Sequence, residues 1–378
     1  MGQTLYDKPL KGNDRVSLKG TEVRRESVGS LEPNRKALAM CTDDLSYVLE
    51  MWPISDDTDD YISSHHLLLR DHVRNAAFQR AIHQTVNPGD IVVEIGGGTG
   101  ILSAFALQAG AKHVYLIESE DVISCAQKIL RRGGWKKRIT CVRSRAEAVR
   151  FTGRRADVII AELIGSFGVD ENILEVVPLV RNRALKKTGA IIPNRLQLFV
   201  APVSHPPLQR ELELYRSVRH GVDLSPLATL ADNNLYMVDL RNAQFLAAPV
   251  QLIEFDLLTW SEDVFERSVS FTIDRPGTLI GFAGWFEMSL SEGISLSNEP
   301  TGNKTHWDQI IFPIGDPARL KKNDRVSFHL HYETPKGGDE WKWSGIIQSR
   351  EGKRRFCLSS ENRFPFTRIS SRKTLRMG

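Results

Sequence analysis

The chain has 378 residues, of which 41% are hydrophobic and 25% charged, with a formal net charge of +4. That balance fits a protein with a buried core, in one large domain or two of ordinary size, and excludes disorder throughout. No stretch approaches the ~18 consecutive apolar residues of a membrane-spanning helix, and the four cysteines form no CxxC pair.

These features predict a soluble protein of a reducing compartment, without a disulfide framework or a cysteine zinc site. The opening MGQTLYDKPLKG has no signal-peptide pattern, and Tyr6 stands where myristoylation asks for Ser or Thr. Charge is uneven. Residues 350–378 hold nine Lys/Arg and two Asp/Glu, or +7, which leaves −3 for the rest. Phe356, Phe364 and Phe366 lie among them, so the segment reads as solvated strand faces and a loose terminus rather than a nucleic-acid tail. Asp56, Asp57, Asp59 and Asp60 form an acidic run that suits a helix start or a cationic substrate.

In chain order, residues 1 to about 45 are polar and aperiodic, a flexible arm. Residues 61–84 carry apolar side chains at spacings of three and four and predict one amphipathic helix. Asn87-Pro88-Gly89-Asp90 then breaks the chain before a short apolar strand, Ile91 to Ile95. Further strands fall at residues 114–117, 139–142 and 158–161, with helices at 123–130 and 173–180. The last helix is expected to end at Lys186-Lys187-Thr188-Gly189. Such alternation predicts an α/β unit, a parallel doubly wound sheet covered by helices. After Pro193 the segments RLQLFVAPV, VQLIEFDLL, SVSFTI, TLIGFAGWFEMSL, RVSFHLHY and KWSGII predict an antiparallel sandwich or barrel. Residues 210–234 interrupt it with mixed character and read as an insertion. The expected division is therefore 46–192 and 193–378.

The stretch Val92-Val93-Glu94-Ile95-Gly96-Gly97-Gly98-Thr99-Gly100-Ile101 ends a strand and begins a helix with four glycines in five positions. Glycines there allow positive φ and close approach of a ligand to the backbone. The dinucleotide fingerprint needs glycine at position 101, which is Ile101, and no Walker lysine follows. This argues against a nicotinamide-dependent oxidoreductase. Glu118 closes the second strand, where a carboxylate can accept both hydroxyls of a ribose. An adenosine ligand without pyrophosphate, such as S-adenosylmethionine, fits this arrangement.

Residues 94–103 with Glu118, then Ala161-Glu162-Leu163-Ile164-Gly165-Ser166-Phe167 through Glu171, then Thr305-His306-Trp307, resemble the protein arginine N-methyltransferases. The resemblance implies a class I methyltransferase domain, an antiparallel β-barrel and a dimerisation arm inserted in it over residues 210–234. It implies S-adenosylmethionine as cofactor, held by Gly96, Gly98, Gly100, Glu118, Arg74 and His65, with Ala146 and Glu147 at the adenine. It assigns Glu162 and Glu171 to a double-glutamate hairpin and His306 to catalysis, with Leu68 and Trp307 at the substrate pocket. The chemistry of the pair agrees, because a guanidinium is planar, cationic and suited to carboxylate pairing. The implied partners are arginine-containing proteins, such as histone tails and Arg/Gly-rich RNA-binding proteins, and a second copy of the chain. The expected compartment is the cytoplasm or the nucleus, with no membrane association and no sequence-specific nucleic-acid binding.

Departures from the family pattern bear on the product. The asymmetric-dimethylating members carry aromatics at positions that fall near Ser55 to Asp59, and none is here. Leu68 stands where Met or Phe is usual. Residues 162–168 and 281–287 look closest to the symmetric type, whereas Thr-His-Trp is typical of the asymmetric one. The mixture points to monomethylation, with symmetric dimethylation and a non-catalytic regulatory partner as alternatives. His65 and His66 lack further ligands at metal-binding spacing, so no metal is expected, and Trp285, Trp341 and Trp343 read as barrel core.

Overall fold

The computed structural model describes residues 57–334, 340–350, 352–361 and 367–368. The arm expected over residues 1–45, the side chains of the acidic run, Ser55, and Phe364 and Phe366 lie outside the described residues.

The single helix expected over residues 61–84 is two, α1 (Asp57–Arg70) and α2 (His72–Thr85). Asp71 makes the break. Its Oδ1 accepts from the Arg74 backbone N–H at 2.8 Å and caps α2. Apolar periodicity runs through such a cap without a signal, because the buried stripe continues on both sides. Ala77, Phe78, Ala81 and Ile82 carry that stripe into the core.

The α/β half follows as β1 (Ile91–Ile95), α3 (Ile101–Gln108), β2 (His113–Glu118), α4 (Ile123–Arg132), β3 (Ile139–Arg143), β4 (Ala156–Ala161), α5 (Ile173–Ala184) and β5 (Leu185–Ile192). The five strands form one parallel sheet in the order β3-β2-β1-β4-β5. Near-continuous apolar runs such as Val158 to Ala161 suit strands buried on both faces. Lys186 to Gly189 do not end a helix. They lie within β5, an edge strand whose lysines face water, and Lys186 pairs with Asp157 on β4. With β1 between β2 and β4, the winding reverses there, and the carboxyl ends of these strands open a crevice.

From β6 (Arg195–Ser204) onward the structure is β-rich. One sheet joins β6 to Gly277–Ser291, Gln309–Leu320 and Tyr236–Val238; a second contains Val264–Thr272, Arg325–Glu333, Glu340–Ser349 and Gly352–Glu361. The expected antiparallel barrel is thus assembled from two sheets, closed over an aromatic core. Phe282 and Phe328 lie 4.6 Å apart, and Tyr332 and Trp341 4.3 Å. Trp285, Trp341 and Trp343 are buried.

At the start of the expected insertion lies the helix Pro206–Leu214, whose Leu208 and Leu212 pack with Trp285 and Ile311. Beyond it, Val218, Val222, Leu227 and Leu230 are exposed by 66%, 59%, 42% and 70%.

Candidate active site

The functional candidates gather at the carboxyl ends of the parallel strands. Gly96, Gly98 and Gly100 follow β1 with φ of 69°, 48° and 80°. At Gly98 the φ is left-handed, which favours glycine, and an added Cβ would lie 3.0 Å from His65 Cε1, a tight contact. The Gly98 N–H donates to Glu118 Oε2 at 2.9 Å, and the Glu120 N–H donates to Glu118 Oε1 at 2.9 Å. These bonds fix the carboxylate at the end of β2, with Ser119 Oγ a further donor to Oε1 at 3.5 Å, and leave Oε2 able to accept from a ligand. A cleft of about 310 Å³ unites this loop with His65, Leu68, Arg74, Glu162, Glu171 and His306. A second lobe of about 220 Å³, also lined by Gly96 and Glu118, reaches Ala146 and Glu147. Burial alone would raise the Glu147 carboxyl, but its own backbone N–H and Arg145, 2.9 Å away, hold it below the usual range. His65 is held below the ordinary imidazole range by burial, against the opposing pull of Glu118.

Glu162 follows β4 directly and Glu171 precedes α5. Between them runs an irregular loop rather than the expected hairpin, with one internal turn from Gly168 N–H to Gly165 carbonyl at 3.0 Å. The resemblance gave Arg74 to the cofactor. The structure also gives it a protein partner, since its Nη2 forms an ion pair with Glu162 Oε2. Arg74 Nη1 donates to Asn75 Oδ1 at 2.7 Å, and the guanidinium lies 5.3 Å from the Phe78 ring centroid. Among the described residues, Arg74 Nε is buried with no hydrogen-bond partner.

The Glu171 surface faces the cleft, yet protein crowds it. Burial first, then the negative charges of Glu162 and Asp170, push its carboxyl up to about 8, opposed by Arg74.

Sequence reasoning missed two acids. Asp71 Oδ2 accepts from both the backbone N–H and Nδ1 of His306 at 2.8 Å, 235 residues away. Burial would raise this carboxyl, but the His306 and Arg74 hydrogen bonds outweigh it and hold Asp71 low. His306, which the resemblance assigns to catalysis, thus has its ring held by Asp71. The available signal was an aspartate interrupting a helical stripe three residues before Arg74. The other is Glu94, buried on β1, where Ser103 Oγ donates to it. Burial pushes Glu94 up to about 8 despite that bond.

Trp307, expected at the substrate pocket, is buried behind the loop. Its Nε1–H donates to the Ile164 carbonyl at 2.6 Å and its ring meets Phe286 edge-on at 5.2 Å.

The residues fit S-adenosylmethionine. The orphaned Arg74 Nε suits the amino-acid carboxylate, the Gly98 backbone forms a cradle that a Cβ would crowd, and Glu118 suits a ribose. The arrangement defines a nucleoside-cofactor cleft beside an acidic pair. Residues 49–192 match the PRMT5 arginine-N-methyltransferase family, and residues 194–337 match the arginine methyltransferase oligomerization subdomain.

Protein arginine N-methyltransferase 1 of Dictyostelium discoideum is 26% identical over 278 residues, covering 72% of this chain and 82% of the relative. Protein arginine N-methyltransferase 6 of Xenopus tropicalis is 27% identical over 281 residues, covering 70% and 82%. Among solved structures, the Trypanosoma brucei PRMT1 enzyme-prozyme heterotetramer with AdoHcy has a TM-score of 0.70 at 21% identity, covering 78% of this chain and 97% of that one. Arabidopsis thaliana protein arginine methyltransferase 10 has a TM-score of 0.67 at 24% identity, covering 78% and 96%. The chain belongs to the protein arginine N-methyltransferase family, whose enzymes use S-adenosylmethionine.

Proposed function

We propose that this enzyme makes chiefly monomethylarginine, on arginine-containing segments of proteins such as histone tails and Arg/Gly-rich RNA-binding proteins. We place it in the cytoplasm or nucleus as a homodimer. The observation that carries the arginine reading is the ion pair of Arg74 with Glu162 in the cleft that also holds Glu171. The first glutamate already binds a guanidinium, and the second stands ready to take the other edge of a substrate's. When bound, S-adenosylmethionine supplies an electrophilic methyl on a sulfonium.

The chain's own residues do the rest. Glu118 accepts from ribose hydroxyls, Arg74 Nε donates to the cofactor carboxylate, and Glu147 accepts from the adenine amino group. Glu162 and Glu171 grip the substrate guanidinium and orient one nitrogen lone pair toward the methyl. They also stabilise charge that localises on the guanidine during transfer. Crowding by the surrounding protein and the charges of Glu162 and Asp170 raise the Glu171 carboxyl, and a substrate cation opposes that rise. The Asp71–His306 pair ties the loop before Gln309–Leu320 to the start of α2, beside the cleft.

Monomethylation rests on the mixed motifs and on Leu68 lining the cleft. The exposed apolar residues of the insertion and the matched oligomerization subdomain support assembly with a second copy. The similar enzyme-prozyme complex keeps a regulatory role in view, but the glycine loop and both glutamates are intact here. The purified chain, with labelled S-adenosylmethionine and an Arg/Gly-rich peptide, should yield monomethylarginine by mass spectrometry. Glu162→Gln and Glu171→Gln should each lower turnover by about 100-fold or more, with S-adenosylhomocysteine still bound. Dimethylarginine as the main product would overturn the product assignment; silence of the wild-type chain alone would favour the regulatory reading.

A further inference from the structure

The loop that carries Glu162 and Glu171 has little regular structure of its own, so something else must set the distance between its two acids. Three side chains of the β half donate to three of its carbonyls. Trp307 Nε1–H reaches Ile164 at 2.6 Å, Asn298 Nδ2 reaches Ser166 at 2.8 Å, and Tyr332 Oη–H reaches Val169 at 3.0 Å. The spacing is orderly: Ile164 is two residues after Glu162, Val169 is two before Glu171, and Ser166 is near the middle.

Each donor is itself immobilised. Tyr332 is fully buried against Trp341 and Phe265. Asn298 Oδ1 accepts from the Phe286 N–H at 2.8 Å, and its Nδ2 also bonds the Asp308 carbonyl at 2.8 Å. Loop carbonyls held by buried, rigid donors cannot drift without leaving a polar group unpaired.

We infer that Tyr332 and Asn298 are positioning residues for the reaction: with Trp307 they hold the acidic loop so that Tyr332 sets the Glu171 arm and Trp307 the Glu162 arm. Neither Tyr332 nor Asn298 touches the cleft; both act through backbone. The inference rests on the reading that Glu162 and Glu171 grip the substrate guanidinium.

The test is the affinity of an Arg/Gly-rich peptide for the full chain saturated with S-adenosylhomocysteine. Tyr332→Phe keeps the ring and removes one O–H, and should weaken peptide binding about tenfold while S-adenosylhomocysteine affinity changes less than about twofold. In a Glu171→Gln background the same substitution should cost less than about twofold, because the arm it holds no longer grips a cation. In a Glu162→Gln background the tenfold loss should remain. An equal loss in all three backgrounds, as general loosening would give, overturns the inference, and so does unchanged peptide affinity. Should Tyr332→Phe fail to fold, Trp307→Phe provides the mirror test, with its loss vanishing in Glu162→Gln and persisting in Glu171→Gln. Failure of the substrate reading itself is separate: there, neither glutamate substitution alone would weaken the peptide.

Discussion

Replacing Glu94 by glutamine should make the protein progressively more stable than wild type as pH rises. Glu94 is buried beneath the glycine loop, where burial pushes its carboxyl up to about 8 from an ordinary 4.5. Between those two values the folded protein holds a proton that the unfolded chain has released. Stability from this group is therefore complete below about 4.5 and is lost as pH rises towards 8. From pH 5.5 to pH 8 the linkage integral amounts to about 3 kcal/mol, taking ~1.4 kcal/mol per pKa unit.

Glutamine presents the same shape, keeps an oxygen for the Ser103 hydroxyl and does not titrate. At about 1.3 °C per kcal/mol for a chain of this size, the Tm of Glu94→Gln minus that of wild type should grow by about 4 °C across this range. Thermal melts of both proteins, without cofactor and in a buffer series from pH 5.5 to 8, read this directly. Glu171 is also pushed up to about 8, so both proteins share a slope from a second acid. Only the difference between the two proteins isolates Glu94. Parallel Tm curves would show that the buried carboxyl is not held neutral, and the reasoning would fail.

Gly98→Ala should weaken S-adenosylhomocysteine binding by about tenfold or more. Its φ of 48° strains any side chain, and the His65 ring 3.0 Å from the added Cβ must shift by a few tenths of an ångström, which calorimetry checks. Unchanged affinity would place the cofactor elsewhere. Leu230→Asp puts a charge on a side chain that is 70% exposed on the insertion, and should convert a dimer into a monomer in sedimentation. A dimer that persists would move the interface off this segment.

Sequence alone determined what depends on backbone conformation and short spacing. The glycine loop is legible because positive φ at three alternating positions after a strand demands glycine. Glu118 is legible because it ends the neighbouring strand, whereas Glu162 and Glu171 were singled out by the resemblance their motif carries. The alternation of strands and helices gave the parallel sheet for the same reason: apolar periodicity is a local signal.

Tertiary structure alone decided the pairings. Arg74 meets Glu162 across 88 positions, Asp71, the cap between two helices, also serves His306 across 235, and Lys186 and Lys187 continue a strand because β5 is an edge. Trp307 moved from the pocket wall to a support for the same cause. A hydrogen bond between distant segments leaves no periodic trace in either one, so the partners of a buried donor become known only when the chain has folded around it.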